Sequence, residues 1–134
     1  MPRDSQRRRP VQAPEPILDE AVLAELKATT GNDPAFVREL VDSYLAEAPA
    51  QIEGIAAAVS GSDAAALVRP AHTLKSSSAT VGAMRLATVA RRLEITGRSG
   101  ALDDGASADL DTLRAEWSAA AEAFQTWLGG NLSR

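Results

Sequence analysis

Along most of the chain, apolar residues recur every three or four positions, which is the spacing of one face of an α-helix. Glycine and proline divide this pattern into five segments. A short segment begins after Asp19, and a long one follows Asp33 and Pro34, an N-cap residue and a proline suited to a first helical turn. The others begin near Asp63, after Gly82, and after a loop rich in Gly, Asp and Ser. The sequence therefore predicts five helices, four of them long.

The lengths of these segments predict an all-α fold, an antiparallel four-helix bundle with a short additional N-terminal helix. Neither an alternating β-branched run nor an Asn-Gly turn is found in the sequence, so no strand is predicted. Pro49 and Pro70 fall inside predicted helices, where each removes a backbone hydrogen bond and predicts a kink. Alternatively, Pro70 begins a new helix.

Residues 1–16 differ from the rest in composition, with four prolines, four arginines and almost no apolar residues. Such a segment cannot offset the entropy lost on ordering, so we expect a flexible basic, proline-rich lead before a helical bundle over residues 17–130. The chain carries a formal net charge of -4 although the lead is basic, so the bundle is acidic. An acidic bundle argues against nucleic-acid binding. The run Arg7 to Arg9 suits either a solvated tail or contact with an anionic partner.

The overall composition excludes several classes of function. A length of 134 residues suits one domain, and the absence of cysteine together with a single histidine argues against metal sites built from these residues. No Gly-rich phosphate-binding loop is present, so we expect no ATP site, no cofactor and no enzyme in the usual sense. No apolar run approaches the roughly 20 residues of a membrane span, and no secretory signal is apparent. We therefore expect a cytoplasmic protein with no membrane partner. We also expect a monomer.

The single histidine, His72, lies in the third predicted helix. One stripe of this helix is predicted to be buried: Leu67, Ala71, Leu74, Ser78 and Val81. The opposite stripe is predicted to be exposed: Ala65, Val68, Arg69, His72, Lys75, Ser76 and Ala79. An exposed neutral imidazole offers a nitrogen lone pair without needing a general base, so His72 is a candidate nucleophile. Lys75, one turn further on, is close enough to reach the ring.

The run from His72 to Gly82, His-x-Leu-Lys-x-Ser-Ser-x-x-x-Gly, resembles the signature of histidine phosphotransfer (HPt) domains. The resemblance extends over residues 18–128 as a helical bundle, but only this run is specific. It implies that His72 is the phosphorylated residue and that Lys75 stabilises the phosphoryl group. The chain departs from the family at Ser76, where glycine is usual.

The resemblance implies a carrier in a two-component phosphorelay. His72 would accept a phosphoryl group from a receiver-domain aspartate and pass it to another receiver, the two belonging to hybrid histidine kinases and response regulators. Catalysis and Mg²⁺ would come from the receiver. An alternative stays open, in which the same bundle binds a receiver domain or a sensor kinase without being phosphorylated.

The exposed stripe of the His72 helix supplies candidates for partner binding: Val68, Arg69, Ser76 and Ala79. The small side chains of Ala65, Ser76 and Ala79 would let a partner come close to the imidazole. Arg69 is equally well interpreted as an ordinary exposed arginine.

The turn at Gly82 predicts which residues of the next helix approach His72. Counting about ten residues in each direction brings Arg91, Arg92 or Glu94 beside the imidazole. In HPt domains a polar residue at this position, often glutamine, hydrogen-bonds the ring. The resemblance implies that Glu94 takes the place of this residue. A solvated surface glutamate is the alternative.

Overall fold

The computed structural model describes residues 16–131, which contain five α-helices and no β-strand. They are α1 (Glu20–Thr29), α2 (Pro34–Ser60), α3 (Ala64–Thr80), α4 (Met84–Ser99) and α5 (Asp104–Asn131). α3 packs between α2 and α4, and α5 closes the bundle against α4 and α2. α1 is a short extra helix beside α2. The predicted four-helix bundle with an additional N-terminal helix is confirmed.

Aspartates begin the first three helices where the sequence predicted them. The side chains of Asp19, Asp33 and Asp63 each accept a hydrogen bond of 3.0 Å from a backbone N–H two or three residues further on. Each bond satisfies one of the N–H groups that a helix start leaves without a partner. Pro34 follows Asp33 as the first residue of α2, where its missing N–H costs nothing.

Neither internal proline ends its helix. α2 continues through Pro49 to Ser60, and α3 continues through Pro70 to Thr80, so the alternative in which Pro70 begins a new helix is wrong. The predicted kinks stay predictions. Gly54 of α2 faces the ring of Pro70, since a Cβ added at Gly54 would lie 3.3 Å from the Pro70 Cβ. A small residue therefore accommodates the proline where α2 and α3 meet.

The predicted buried stripe of α3 lies in the core: Leu67, Ala71, Leu74, Ser78 and Val81. Its one polar member, Ser78, lies with its Oγ 2.7 Å from the hydroxyl oxygen of Tyr44 in α2. Burial raises the pKa of Tyr44 to about 12, although the Ser78 hydrogen bond opposes this. Trp117 and Phe124 of α5 pack edge-on against the Tyr44 ring, each with centroids 5.7 Å away. These contacts fix the rotation of α3 and leave its opposite face outward.

Two glycines shape the hairpin of α3 and α4. Gly82, in the turn, has a φ of +86°, and its carbonyl accepts a 2.8 Å hydrogen bond from the N–H of Asp19. Gly97 lies against α3, since an added Cβ would come within 2.9 Å of Val68 Cγ2 and 3.0 Å of the Ala64 carbonyl oxygen. This close approach holds the preceding turn of α4 next to the middle of α3.

Of the two predicted segments, the bundle over residues 17–130 lies within the described residues, and the lead lies almost wholly outside them. Most of the expected lead falls in residues 1–15, which lie outside the described residues. Ile17 and Leu18 pack against the bundle core.

Among the described helices, none has the length and apolar character needed to cross a membrane. Within residues 16–131, no group of three or more metal-ligating side chains comes together.

Candidate functional site

His72 projects from the outer face of α3, about two turns before the helix ends. Its side chain is 53% exposed. The neighbouring residues Leu74 and Ala71 are fully buried on the opposite face of α3. Their burial prevents the helix from rotating, so the imidazole stays on the outer face. The site is therefore a solvent-accessible ring on a rigid support.

Glu94 of α4 meets the imidazole directly. Its Oε2 lies 2.9 Å from Nδ1 of His72, and only 5% of the residue is exposed. An ionised carboxylate can only accept hydrogen bonds, so Nδ1 carries the proton and donates it. The lone pair of the neutral ring is then on Nε2.

Two cations hold the Glu94 carboxylate on its other sides. Lys75 Nζ lies 2.8 Å from Oε1, and the Arg98 guanidinium donates to Oε2 at 2.8 and 3.1 Å. The hydrogen bond from Lys75, followed by those from Arg98 and His72, lowers the Glu94 pKa to about 2, although burial acts in the opposite direction. The carboxylate is thus charged at neutral pH despite being buried. Glu94 is the centre of a four-residue polar cluster, which we call the Glu94 cluster.

The structure decides among the three residues predicted to approach the imidazole. Glu94 lies beside the ring, whereas Arg92 donates to Asp109 of α5 at 3.2 Å and Arg91 is exposed. The alternative of a solvated Glu94 is wrong, because α3 covers this residue. Lys75 was expected to reach the ring itself, but its ammonium contacts Glu94 Oε1 instead. The same carboxylate binds His72 through its other oxygen, Oε2.

The four residues predicted to bind a partner fall into two pairs. Arg69 and Ser76 are exposed on the same side of α3 as His72. Val68 is half-buried against Gly97 of α4, and Ala79 is half-buried in a groove that it shares with residues of α1. The first pair borders the imidazole openly, and the second has other helices as neighbours. Partner binding by these residues stays a prediction.

Arg98 belongs to the Glu94 cluster and was not predicted. A signal for it exists in the sequence, since Glu94 and Arg98 are four residues apart on one helix, the spacing at which a glutamate and an arginine pair.

Ile95, next to Glu94, was also missed. It is an exposed large apolar side chain on a helix that is otherwise polar outside.

The cluster combines what transfer of a phosphoryl group to nitrogen requires. The ring is accessible, its Nδ1 is bound to Glu94, and the same carboxylate binds two cations. Preorganised cations stabilise the charge that a phosphoryl group brings. The neutral imidazole needs no general base to act as a nucleophile.

Comparisons with known proteins identify the family to which the chain is similar. The family model described as Hpt domain matches residues 39–127, a region that includes His72, Lys75, Glu94 and Arg98. Among solved structures, histidine-containing phosphotransfer protein B (HptB) from Pseudomonas aeruginosa PAO1 is similar, with 29% sequence identity and a TM-score of 0.74. The similarity covers 83% of this chain and 93% of that chain. No curated protein matches the sequence.

Proposed function

Since the chain belongs to the Hpt domain family, we propose that His72 accepts a phosphoryl group from a receiver-domain aspartate and passes it to another receiver. Members of this family are phosphotransfer carriers that work with receiver domains in phosphorelays. The observation that carries the assignment to His72 is its contact with Glu94. The chain has no other imidazole, and this one is exposed with Nδ1 bound to a charged carboxylate 2.9 Å away.

In the proposed step, Nε2 of His72 attacks the phosphorus of the receiver's aspartyl phosphate. The N–P bond forms as the P–O bond to the aspartate breaks, and the aspartate carboxylate leaves with the electron pair. The proton on Nδ1 stays in its hydrogen bond to Glu94. Transfer to the second receiver is the reverse reaction with a different carboxylate. The receivers supply Mg²⁺ and most of the catalysis, as the resemblance to HPt domains implies.

Lys75 stabilises the phosphoryl group electrostatically in this proposal. Its ammonium lies 2.8 Å from Glu94 Oε1, and Glu94 Oε2 lies 2.9 Å from the ring, so a small rotation of the lysine brings it towards a group on His72. The lysine side chain is 32% exposed. A charge contact of this kind contributes ~1 kcal/mol or less in water and more when a docked partner excludes water.

The docking surface for the receiver is proposed to surround His72. Arg69 and Ser76 form its open part, with Val68 and Ala79 at its edges. The short side chains of Ser76 and Ala79 would let the receiver bring its aspartate to the imidazole. We further propose that the protein is a cytoplasmic monomer without an ATP site, so that each phosphoryl group comes from a partner protein.

A second candidate is a binding module that docks a receiver domain or sensor kinase without being phosphorylated. The serine at position 76, where the family usually has glycine, favours it slightly. The Glu94 cluster argues against it, since a docking surface does not need a buried carboxylate that fixes one ring nitrogen.

Mixing the protein with a receiver phosphorylated on its aspartate separates the two candidates. Phosphotransfer predicts that an acid-labile, alkali-stable phosphate appears on this chain, together with loss of phosphate from the receiver. A complex that forms with no phosphate on this chain would support the binding module and contradict our proposal.

A further inference from the structure

The Glu94 cluster places a negative charge where a phosphoryl group on His72 would also be negative. The resemblance to HPt domains leads one to expect glutamine at this position, which can accept the Nδ1 hydrogen bond without a charge. Here the acceptor is a carboxylate with 5% exposure. Compared with glutamine, Glu94 adds one negative charge, and its Oε2 lies 2.9 Å from Nδ1 of the ring that would carry the phosphoryl group.

Lys75 and Arg98 are both bound to this carboxylate. Lys75 contacts Oε1 at 2.8 Å, and Arg98 contacts Oε2 through two nitrogens at 2.8 and 3.1 Å. Charge-assisted hydrogen bonds of this length are strong, and a carboxylate with only 5% exposure is costly to leave unpaired. Any movement of Lys75 or Arg98 towards a phosphoryl group therefore weakens its bond to Glu94. Glu94 and the phosphoryl group compete for the same two cations.

We infer that Glu94 makes phosphorylated His72 a short-lived and strong phosphoryl donor, because it competes with the phosphoryl group for Lys75 and Arg98 and repels it. This inference rests on the proposed function of His72. It assigns Glu94 a positioning role with an energetic consequence: the carboxylate fixes the ring tautomer and at the same time raises the free energy of the phosphorylated state. Phosphoryl flow is thereby favoured outward, from His72 to a receiver.

The test measures the phosphohistidine without any receiver. Potassium phosphoramidate phosphorylates histidine chemically, so the wild-type protein and Glu94→Gln are labelled with it, desalted, and followed by ³¹P NMR as the phosphohistidine hydrolyses. We expect Glu94→Gln to lengthen the lifetime about five-fold, because a phosphoryl group on the exposed His72 ring is partly screened from the carboxylate by solvent. The matched control is Glu116→Gln, which removes a carboxylate paired with Arg85 on a different face, and its lifetime should equal that of the wild type. An unchanged or shorter lifetime in Glu94→Gln would overturn the inference.

A second variant keeps the test valid should Glu94→Gln fold poorly. Arg98 is 61% exposed, so Arg98→Gln should not disturb the core. With one cation fewer to share, the phosphohistidine should hydrolyse a few times faster than in the wild type. Arg92→Gln is the control, since Arg92 lies on the same helix and pairs with Asp109 instead. Equal lifetimes for Arg98→Gln and the wild type would contradict the competition for cations.

The second measurement is the equilibrium of the phosphoryl group between His72 and a receiver domain. Phosphorylated wild type and Glu94→Gln are mixed with a receiver domain and Mg²⁺, and the ratio of phosphorylated species is measured at equilibrium. We expect the ratio to shift about five-fold towards the phosphorylated histidine in Glu94→Gln. An unshifted ratio would overturn the inference, whereas failure of both proteins to transfer would contradict the proposed function and leave the lifetime test to decide the role of Glu94.

Discussion

Gly97 of α4 and Val68 of α3 touch so closely that a Cβ added at Gly97 would lie 2.9 Å from Val68 Cγ2. The same Cβ would lie 3.0 Å from the backbone oxygen of Ala64, which cannot move without displacing α3. Glu94, one turn before Gly97, reaches His72 across this contact. The spacing of the two helices at Gly97 therefore determines how closely Glu94 approaches the His72 ring.

Gly97→Ala should destabilise the protein by about 1–2 kcal/mol in urea unfolding, since overpacking outweighs the better helix propensity of alanine. Gly129→Ala in α5 is the control. No atom lies within 4 Å of a Cβ added there, so the free energy of unfolding should stay the same or rise slightly. Equal effects of the two substitutions would show that α3 and α4 are not in close contact at Gly97.

Acid unfolding tests the charge of Glu94. Its pKa is lowered from 4.5 to about 2 in the folded protein, so the carboxylate stabilises the fold above pH 4.5, and this contribution is lost as the pH falls towards 2. The wild type should therefore be more stable than Glu94→Gln at neutral pH, and the difference should shrink between pH 4.5 and 2. Urea unfolding of both proteins at several pH values measures it. A difference that is constant across this range would contradict the ion pairs with Lys75 and Arg98.

Removing the lysine tests its electrostatic role. Lys75→Ala should slow phosphotransfer from a receiver several-fold and shorten the lifetime of the phosphohistidine, because one of the two cations bound to Glu94 beside the ring is lost. Rates from rapid-mixing experiments and ³¹P NMR lifetimes give the two readings. If neither changes, the role assigned to Lys75 is wrong.

Ser76 tests the docking surface, since it is exposed one turn beyond His72. Ser76→Tyr should leave helicity by circular dichroism unchanged and abolish transfer, because the ring would stand where a receiver must approach. Ser76→Gly should transfer as well as or slightly faster than the wild type, with about 0.5 kcal/mol less stability from helix propensity. Normal transfer by Ser76→Tyr would mean that the receiver docks elsewhere.

Much of the fold followed from local signals in the sequence. Asp33 with Pro34, and Asp63, mark the starts of α2 and α3 because capping depends on a few adjacent residues. The buried stripe of α3 followed from helical periodicity. The sequence left open whether Pro70 lies inside a helix or begins one, because the outcome depends on packing against Gly54, which local signals do not reveal.

The exposed position of His72 could be predicted from the sequence, but the electrostatics around it could not. The position of His72 followed from its stripe, and the turn at Gly82 limited its neighbour to three residues of α4. Helix rotation decides among those three, and that rotation depends on contacts such as the one at Gly97, which sequence spacing does not reveal. The burial of Glu94 and its shared hydrogen bonds with Lys75 and Arg98 depend on the same tertiary packing.

The central claim is that His72 is the phosphoacceptor, and His72→Gln tests it most directly. Wild type, His72→Gln and the control Arg92→Gln are each mixed with a receiver domain phosphorylated on its aspartate, and the phosphate on this chain is measured over time. Circular dichroism should show all three proteins equally helical, since the His72 side chain is exposed. We predict labelling of the wild type and of Arg92→Gln, and none of His72→Gln. Labelling of His72→Gln at the wild-type rate would contradict the account.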